Sequence, residues 1–190
     1  MKFLDALLGR SKPAQPKLDA LFGVTGAAIT LEASAGMRPT GKAAVCFKPA
    51  SGQGFAAASE ELKGLLELAV TEAGSTLEVT DDRYGYRWVV IADPDMEDLV
   101  TSVHLVNSTL EQYGFGPQLL CSVFAFSDSD GRRFHLVYLY KRGTFYPFAP
   151  LGGERRDNEL ELRVKAALGS DLPVEPELTR WFALWGLPLG

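Results

Sequence analysis

Few side chains in this chain of 190 residues could carry out chemistry by themselves. Its two histidines, His104 and His135, fall on the flank of a predicted helix and inside a predicted strand, and they are not spaced as metal ligands. Either could in principle act as a general base, but an ordinary structural histidine fits each pattern better. The sequence contains no G-x-S-x-G, HExxH or Walker A motif. We therefore expect no enzyme, no catalytic residue and no cofactor.

The two cysteines, Cys46 and Cys121, lie in apolar runs with the character of strands. A free thiol in such a run behaves as a small hydrophobic group. Because there is no C-x-x-C or His–Cys cluster, zinc binding and thioredoxin-type chemistry are not expected. A disulfide between the two cysteines stays an alternative, although cytosolic thiols are normally kept reduced.

Two acidic clusters invite a metal site, but each has a simpler explanation. The first lies at the start of a predicted helix, where carboxylates cap free N–H groups and meet the favourable end of the helix dipole. It comprises Asp93, Asp95, Glu97 and Asp98. Asp128 and Asp130 resemble the start of a calcium loop, but the twelfth position is Leu139, where a bidentate glutamate is required. The sequence therefore predicts no metal site.

The most unusual local feature is a basic and aromatic stretch over residues 141–156. Guanidinium and ammonium groups beside aromatic rings can hold anions, phosphates or the carboxylates of a partner. In the other interpretation, the aromatic rings end a strand and fill the core while the charges are solvated. An anion site would use Arg83, Arg87, Lys141, Arg142, Arg155 and Arg156.

Both ends of the chain carry short apolar motifs whose side chains must be buried against another surface. Leu-Asp-Ala-Leu-Leu at residues 4–8 recurs as Leu-Asp-Ala-Leu-Phe at 18–22, which indicates two amphipathic turns too short to be stable alone. They would pack on this protein's own core, on a partner or on a membrane surface. Near the other end we predict a short aromatic helix over residues 181–185. The predicted partner contacts are Phe3, Leu4, Leu7, Leu8, Lys141, Arg142, Phe145, Tyr146, Phe148, Arg155, Arg156, Trp181 and Trp185.

The elements that must position these residues follow from hydrophobic periodicity. We predict helices over residues 27–35, 55–73, 95–113 and 154–168, and strands over 43–47, 77–79, 86–91, 118–126 and 133–140. Alternation in the fourth strand would place Leu119, Cys121 and Val123 on one side, with Leu120, Phe124 and Phe126 on the other. A sheet that is apolar on both faces is covered on both, by helices or by a second subunit, as in a homodimer. The predicted fold is α+β, a mainly antiparallel sheet of five or six strands with helices packed on it.

Length and composition restrict the class of protein. We expect one core domain over residues 25–169, an amphipathic N-terminal segment over 1–24 and an aromatic C-terminal segment over 170–190. A hydrophobic content of 46% excludes general disorder, and a net charge of -5 disfavours nucleic-acid binding. Because no apolar run approaches the ~20 residues of a membrane span and no signal peptide is evident, we expect a cytoplasmic protein.

Several stretches together resemble one protein family. They are residues 3–10 (FLDALLGR), 38–41 with 45–47 after them, 106–111, 114–117, 137–158 (VYLYKRGTFYPFAPLGGERRDN) and 171–185. Over nearly its whole length the chain resembles PspAB, the PspA-associated proteins of bacterial phage-shock-type membrane-stress systems. The order of its elements is also similar to that of the YbjN and type III secretion chaperone-like fold.

The resemblance implies partners rather than a reaction. The family is linked with PspA, a coiled-coil, membrane-binding stress protein, with a second small associated protein, and often with a membrane metalloprotease. We therefore expect a non-enzymatic adaptor or regulator of an envelope-stress response that acts by protein binding, with peripheral contact at the inner face of the membrane as an addition. The alternative is a binder of a small anionic ligand, or an enzyme, that uses the basic residues around 141–156.

Overall fold

The computed structural model describes residues 18–49, 63–64, 66–68, 70–71 and 74–189. The predicted contacts Phe3, Leu4, Leu7 and Leu8, and much of the helix predicted over residues 55–73, lie outside the described residues. Of that helix, residues 63–64, 66–68 and 70–71 are helical.

Helices and strands follow one another along the described residues without a repeating unit. The helices are α1 (Gly23–Ala35), α2 (Met96–Gln112) and α3 (Asn158–Leu168), with 3-10 turns at Leu18–Phe22, Gly116–Gln118 and Leu178–Arg180. The strands are β1 (Arg38–Phe47), β2 (Thr76–Asp81), β3 (Arg87–Ala92), β4 (Leu119–Ser127), β5 (Arg133–Leu139), β6 (Thr144–Phe148), β7 (Pro150–Leu151) and β8 (Arg155–Arg156).

Six of the described strands form one sheet in the order β2-β3-β1-β4-β5-β6. Every neighbouring pair is antiparallel. The α+β fold class and the mainly antiparallel sheet are thus confirmed. Strand β6 comes from the basic and aromatic stretch, and β7 and β8 form a separate small hairpin after it.

One face of the sheet is covered by helices, among which α2 is the most clearly encoded. Its apolar residues recur every three or four positions and are fully buried: Leu99, Val103, Val106 and Leu110. The side chain of Asp95 accepts hydrogen bonds from the N–H groups of Glu97 (2.8 Å) and Asp98 (3.2 Å), so the predicted capping is confirmed. Tyr113 caps the C-terminal end of the helix and is 43% exposed.

The other face is covered by residues 173–189, which we call the strap. The short aromatic helix predicted over residues 181–185 is wrong, because the chain there is irregular after the 3-10 turn Leu178–Arg180. Instead of forming a helix, Trp181 and Leu189 are buried against the sheet, and Trp185 packs beside them. The protein's own chain therefore lies on both faces of the sheet.

Strand β4 contains a bulge that changes the predicted alternation. Cys46 of β1 is opposite Cys121, whereas Phe47 is opposite Leu119, so Leu120 is an extra residue on β4. As a result Leu119 lies on the helix face with Phe124 and Phe126, and Leu120 packs on the strap face with Cys121 and Val123. The predicted sides of Leu119 and Leu120 were wrong for this reason.

The segment Leu18–Ala35 is long and apolar enough to cross a bilayer when judged by length and composition alone, with a mean hydropathy of 1.2. Core helices of soluble proteins meet the same criterion. In the fold Leu21, Val24 and Leu31 of this segment are fully buried in the core on the helix face. Leu21 and Val24 therefore pack with the core, although the predicted boundary at residue 24 assigned them to the N-terminal segment.

Candidate functional site

A cleft of about 690 Å³ opens on the strap face of the sheet. It lies between the β2–β3 turn and the strap, and its floor is formed by β1, β4, β5 and β6. We refer to it as the strap cleft. Its lining residues are Cys46, Asp82, Tyr84, Tyr86, Trp88, Leu120, Cys121, Leu139, Tyr146, Phe182, Ala183, Leu184 and Trp185.

The wall at the β2–β3 turn is organised by Asp82. One carboxylate oxygen of Asp82 accepts the N–H groups of Tyr84 (2.8 Å) and Tyr86 (2.9 Å), and the other accepts the indole N–H of Trp88 (2.9 Å). Burial acts to raise the pKa of Asp82, but these hydrogen bonds outweigh it and hold the pKa below its usual value. The ionised carboxylate therefore fixes the turn and leaves the rings of Tyr84 and Tyr86 in the cleft wall.

The rim of the cleft carries two exposed aromatic rings. Tyr84 is 52% exposed and Phe182 is 57% exposed, although both belong to residue types that fill cores. Arg83 lies over the ring of Tyr84 at 4.8 Å and forms an ion pair with Glu154 at 3.1 Å. Exposed aromatic rings above an apolar floor are typical of protein interfaces, where such rings act as anchors.

The strap is joined to the edge strand β6 by a buried glutamate. Glu175 is 0% exposed and accepts hydrogen bonds from Arg142 and from the Thr144 hydroxyl (2.8 Å). Its own N–H donates to the carbonyl of Phe145 at 2.7 Å. Burial alone would raise the pKa of Glu175, but the hydrogen bonds from Arg142 and Thr144 lower it. The charge of Arg142 is thus paired with a buried carboxylate of the strap.

A second basic residue holds the strap from the opposite side. Arg156 donates through Nε to Glu161 (2.8 Å) and through Nη1 to the carbonyl of Trp181. Its guanidinium also lies 5.1 Å from the centroid of the Phe148 ring. Glu161 accepts the N–H of Ala149 as well (2.8 Å), so the carboxylate links α3 to the end of β6.

The six basic residues proposed for an anion site do not converge. Four of them each face a different carboxylate: Arg83 pairs with Glu154, Arg87 with Asp81, Arg142 with Glu175 and Arg156 with Glu161. Arg155 donates to the carbonyl of Gly152 at 3.0 Å, and Lys141 is exposed. The arrangement stabilises the strap and the turns and gives no common anion pocket among these side chains.

Several of the predicted partner contacts lie inside the protein. Phe145 and Phe148 are 0% exposed, Tyr146 is 1% exposed, and the Tyr146 hydroxyl donates to the carbonyl of Phe182 at 3.0 Å. Trp181 is buried as well, and its indole N–H donates to the carbonyl of Glu175 at 3.0 Å. A partner would reach Phe145, Phe148 and Trp181 only if the strap moved. Tyr146 and Trp185, in contrast, line the strap cleft.

The two histidines lie apart and in different surroundings. His104 packs against the ring of Phe22, with a centroid distance of 4.9 Å, on the helix face. His135 is buried on the strap face beside Phe148, and burial lowers its pKa to about 4. In the described part of the chain no group of three or more His, Cys, Asp or Glu side chains could hold a metal ion. Asp128 instead accepts the N–H groups of Asp130 and Arg132 and shapes the β4–β5 turn.

The two residues at the rim of the cleft, Tyr84 and Phe182, were not among the predicted contacts. Tyr84 falls between the strands predicted over 77–79 and 86–91, and Phe182 falls in the aromatic helix predicted over 181–185. Neither pattern indicates a shared surface. Only the course of the strap across the sheet brings them to the same opening. No signal in the sequence could have joined them.

Comparison with known proteins gives a match to one family model, PspAB, described as PspA associated protein B, over residues 1–189. No curated protein and no solved structure matches the chain.

Proposed function

The chain belongs to the PspA associated protein B family, and from this premise we propose that it is a non-enzymatic adaptor that binds a PspA-type protein. The family assignment supports an association with PspA and with the stress response to which PspA belongs. Direct protein binding, the cytoplasmic location and contact with the inner face of the membrane are parts of the proposal.

The observation that best supports protein binding is the strap cleft. A partner side chain that enters it would meet an apolar floor at Leu139 and Tyr146 and two exposed rings at the rim, Tyr84 and Phe182. Interfaces place aromatic anchors in such positions, because burying an exposed ring removes a large apolar area from water. The occupant that we propose is an apolar ridge on a helix of the PspA-type partner.

The N-terminal repeat provides a second contact in this proposal. Its second copy, residues 18–22, is a 3-10 turn with Leu21 fully buried, so that copy is used within the fold. Residues 4–8, the first copy, lie outside the described residues and remain the copy that we assign to a partner or to a membrane surface.

Co-purification tests the proposal directly. The tagged full chain and a chain lacking residues 1–17 would each be mixed with PspA from the same organism and captured. The deletion stops at residue 17 because Leu21 belongs to the core. We expect the full chain to retain PspA and the deletion to retain less. Failure of the full chain to retain PspA would count against the adaptor function, and equal retention would remove the N-terminal contact only.

Membrane association is tested separately with liposomes. If residues 4–8 contact lipid, the full chain should co-sediment with anionic vesicles, and the chain lacking residues 1–17 should stay in the supernatant. A short helix without a lipid anchor binds weakly, so we expect partial sedimentation that decreases with salt. Equal sedimentation of the two chains would contradict contact through this segment.

A further inference from the structure

The two cysteines of this chain face each other across two neighbouring strands. Cys46 of β1 and Cys121 of β4 are direct partners in the antiparallel register. Directly opposite residues in an antiparallel pair have Cα atoms about 4.5 or 5.5 Å apart, and both separations fall within the range that a disulfide spans, roughly 4.4–6.8 Å. The sheet therefore holds them in a geometry from which an S–S bond can form with little movement of the backbone.

The pair also has a route to solvent. Both cysteines are free and almost buried, at 3% and 5% exposed, and both line the strap cleft. The bulge at Leu120 lies next to the pair and interrupts the regular strand pairing there. A cleft of about 690 Å³ has room for a small thiol reagent beside the two sulfur atoms.

We propose that Cys46 and Cys121 form a reversible dithiol–disulfide site whose oxidant is a small, uncharged disulfide that enters the strap cleft. The cleft selects such a reagent over an anionic one, since the described residues that line it are mostly apolar and include the ionised Asp82 but no basic side chain. This inference concerns the chemistry of the cleft floor and does not depend on which protein binds at the rim.

The reaction is two successive thiol–disulfide exchanges. One cysteine loses its proton to solvent, and its thiolate attacks a sulfur of the small disulfide, which releases one small thiolate and leaves a mixed disulfide. The second cysteine then loses its proton and attacks the cysteine sulfur of the mixed disulfide, which releases the second small thiolate. The two protons pass to the two released thiolates. In total the cysteines lose two protons and two electrons, and the reagent takes up both.

The surroundings of the pair make this exchange slow at neutral pH. The neighbouring Cys121 thiol and burial both raise the pKa of Cys46, so little thiolate is present. A small reagent in the cleft compensates in part by its proximity. The site should therefore respond over hours rather than seconds, and faster as the pH rises.

Mass spectrometry of the full chain tests the proposal. Native protein would be incubated to equilibrium with excess bis(2-hydroxyethyl) disulfide at pH 8.5, quenched with acid and weighed under denaturing conditions. We expect a monomer lighter by two hydrogen atoms that returns to its original mass after reduction. The variants Cys46→Ser and Cys121→Ser should each stop at the mixed disulfide and carry one added small thiol, which would show that both sulfurs are reached through the cleft.

A control separates geometry from reactivity. The same incubation would be repeated on protein unfolded in urea, where both thiols are exposed. A native protein that keeps both thiols, while the unfolded protein is oxidised, would overturn the proposal. Native protein that accumulates two mixed disulfides without closing the intramolecular bond, or that forms disulfide-linked dimers, would overturn it as well.

Discussion

Two buried ionisable side chains on the strap face, Glu175 and His135, show how single residues set the stability of this protein. Glu175 stays charged because Arg142 and Thr144 hydrogen-bond to it, whereas His135 is kept neutral by burial and by the nearby charge of Arg133. From each side chain follows a separate prediction about the free energy of unfolding, one for its dependence on pH and one for the effect of a substitution.

His135 should make the protein less stable in mild acid. Its pKa is about 4 in the folded protein and about 6.5 when unfolded, so between these values the unfolded chain binds a proton that the folded chain does not. The free energy of unfolding should fall as the pH falls through this window. The free energy of unfolding would be measured with urea at pH 7 and at pH 4.5. Its decrease between the two pH values should be about 2 to 3 kcal/mol larger for the wild type than for His135→Leu, since one pKa unit corresponds to about 1.36 kcal/mol. Equal losses in the two proteins would contradict the buried neutral state.

Replacing Glu175 should loosen the strap. Glu175→Gln removes the charge that Arg142 faces and leaves a buried amide among groups arranged for a carboxylate. We expect the free energy of unfolding to fall by about 2 kcal/mol. Glu177→Gln is the matched control, because Glu177 is 54% exposed and pairs with Arg180 at the surface, which should contribute well below about 1 kcal/mol. Equal effects of the two substitutions in urea melts would show that the buried pair does not hold the strap.

Secondary elements differ in how much of their information is local. Helix α2 was predictable because the residues that form its cap and its apolar stripe all lie within the sequence 95–112. Strand β6 and the strap were not, since their structure depends on each other: Phe145 donates to the carbonyl of Pro173, and Glu175 donates back to Phe145. The bulge at Leu120 likewise depends on pairing with β1, which a pattern within β4 does not contain.

The cap of α2 gives a prediction for one element. Asp95→Ala removes the acceptor for the N–H groups of Glu97 and Asp98 and should lower the free energy of unfolding by about 1 kcal/mol. Glu97→Ala removes a charge from the same turn but no capping acceptor, and it should cost less. Thermal melts of the two variants provide the measurement, and a larger loss for Glu97→Ala would contradict the capping role.

Removing the last part of the strap, from residue 181 onward, should expose the second face of the sheet. A chain that ends at Arg180 lacks Trp181 and Leu189, which are buried against that face, and Trp185, which packs on Phe148 with a centroid distance of 5.2 Å. We expect a lower melting temperature and increased fluorescence of a dye that binds apolar surfaces. Phe182→Ala, which alters an exposed ring of the same segment, is the control and should leave dye binding unchanged. Unchanged dye binding by the truncated chain would contradict the covering role of the strap.

At the scale of the whole molecule, the sequence predicted the fold class, the family resemblance and an apolar sheet with two faces, and these predictions are confirmed. The strap cleft was not predicted, because it is the part of the sheet that the strap leaves uncovered. Its position depends on where the strap crosses the sheet. The rim residues Tyr84 and Phe182 have no relation in sequence, and they share an opening only after the strap has crossed the sheet. The basic residues predicted to form an anion site are instead engaged in separate ion pairs, one of them exposed at the surface and two with a buried carboxylate.

The central claim, that a PspA-type protein binds at the strap cleft, is tested most directly by calorimetric titration of PspA into the purified chain. Three variants would be compared with the wild type: Tyr84→Ala and Phe182→Ala at the rim, and Tyr113→Ala as a matched aromatic control that is 43% exposed at the end of α2. We predict that each rim variant weakens binding by about tenfold or more, as the loss of an interface anchor does, and that Tyr113→Ala binds like the wild type. Equal affinity of all four proteins, or no binding by the wild type, would contradict the claim.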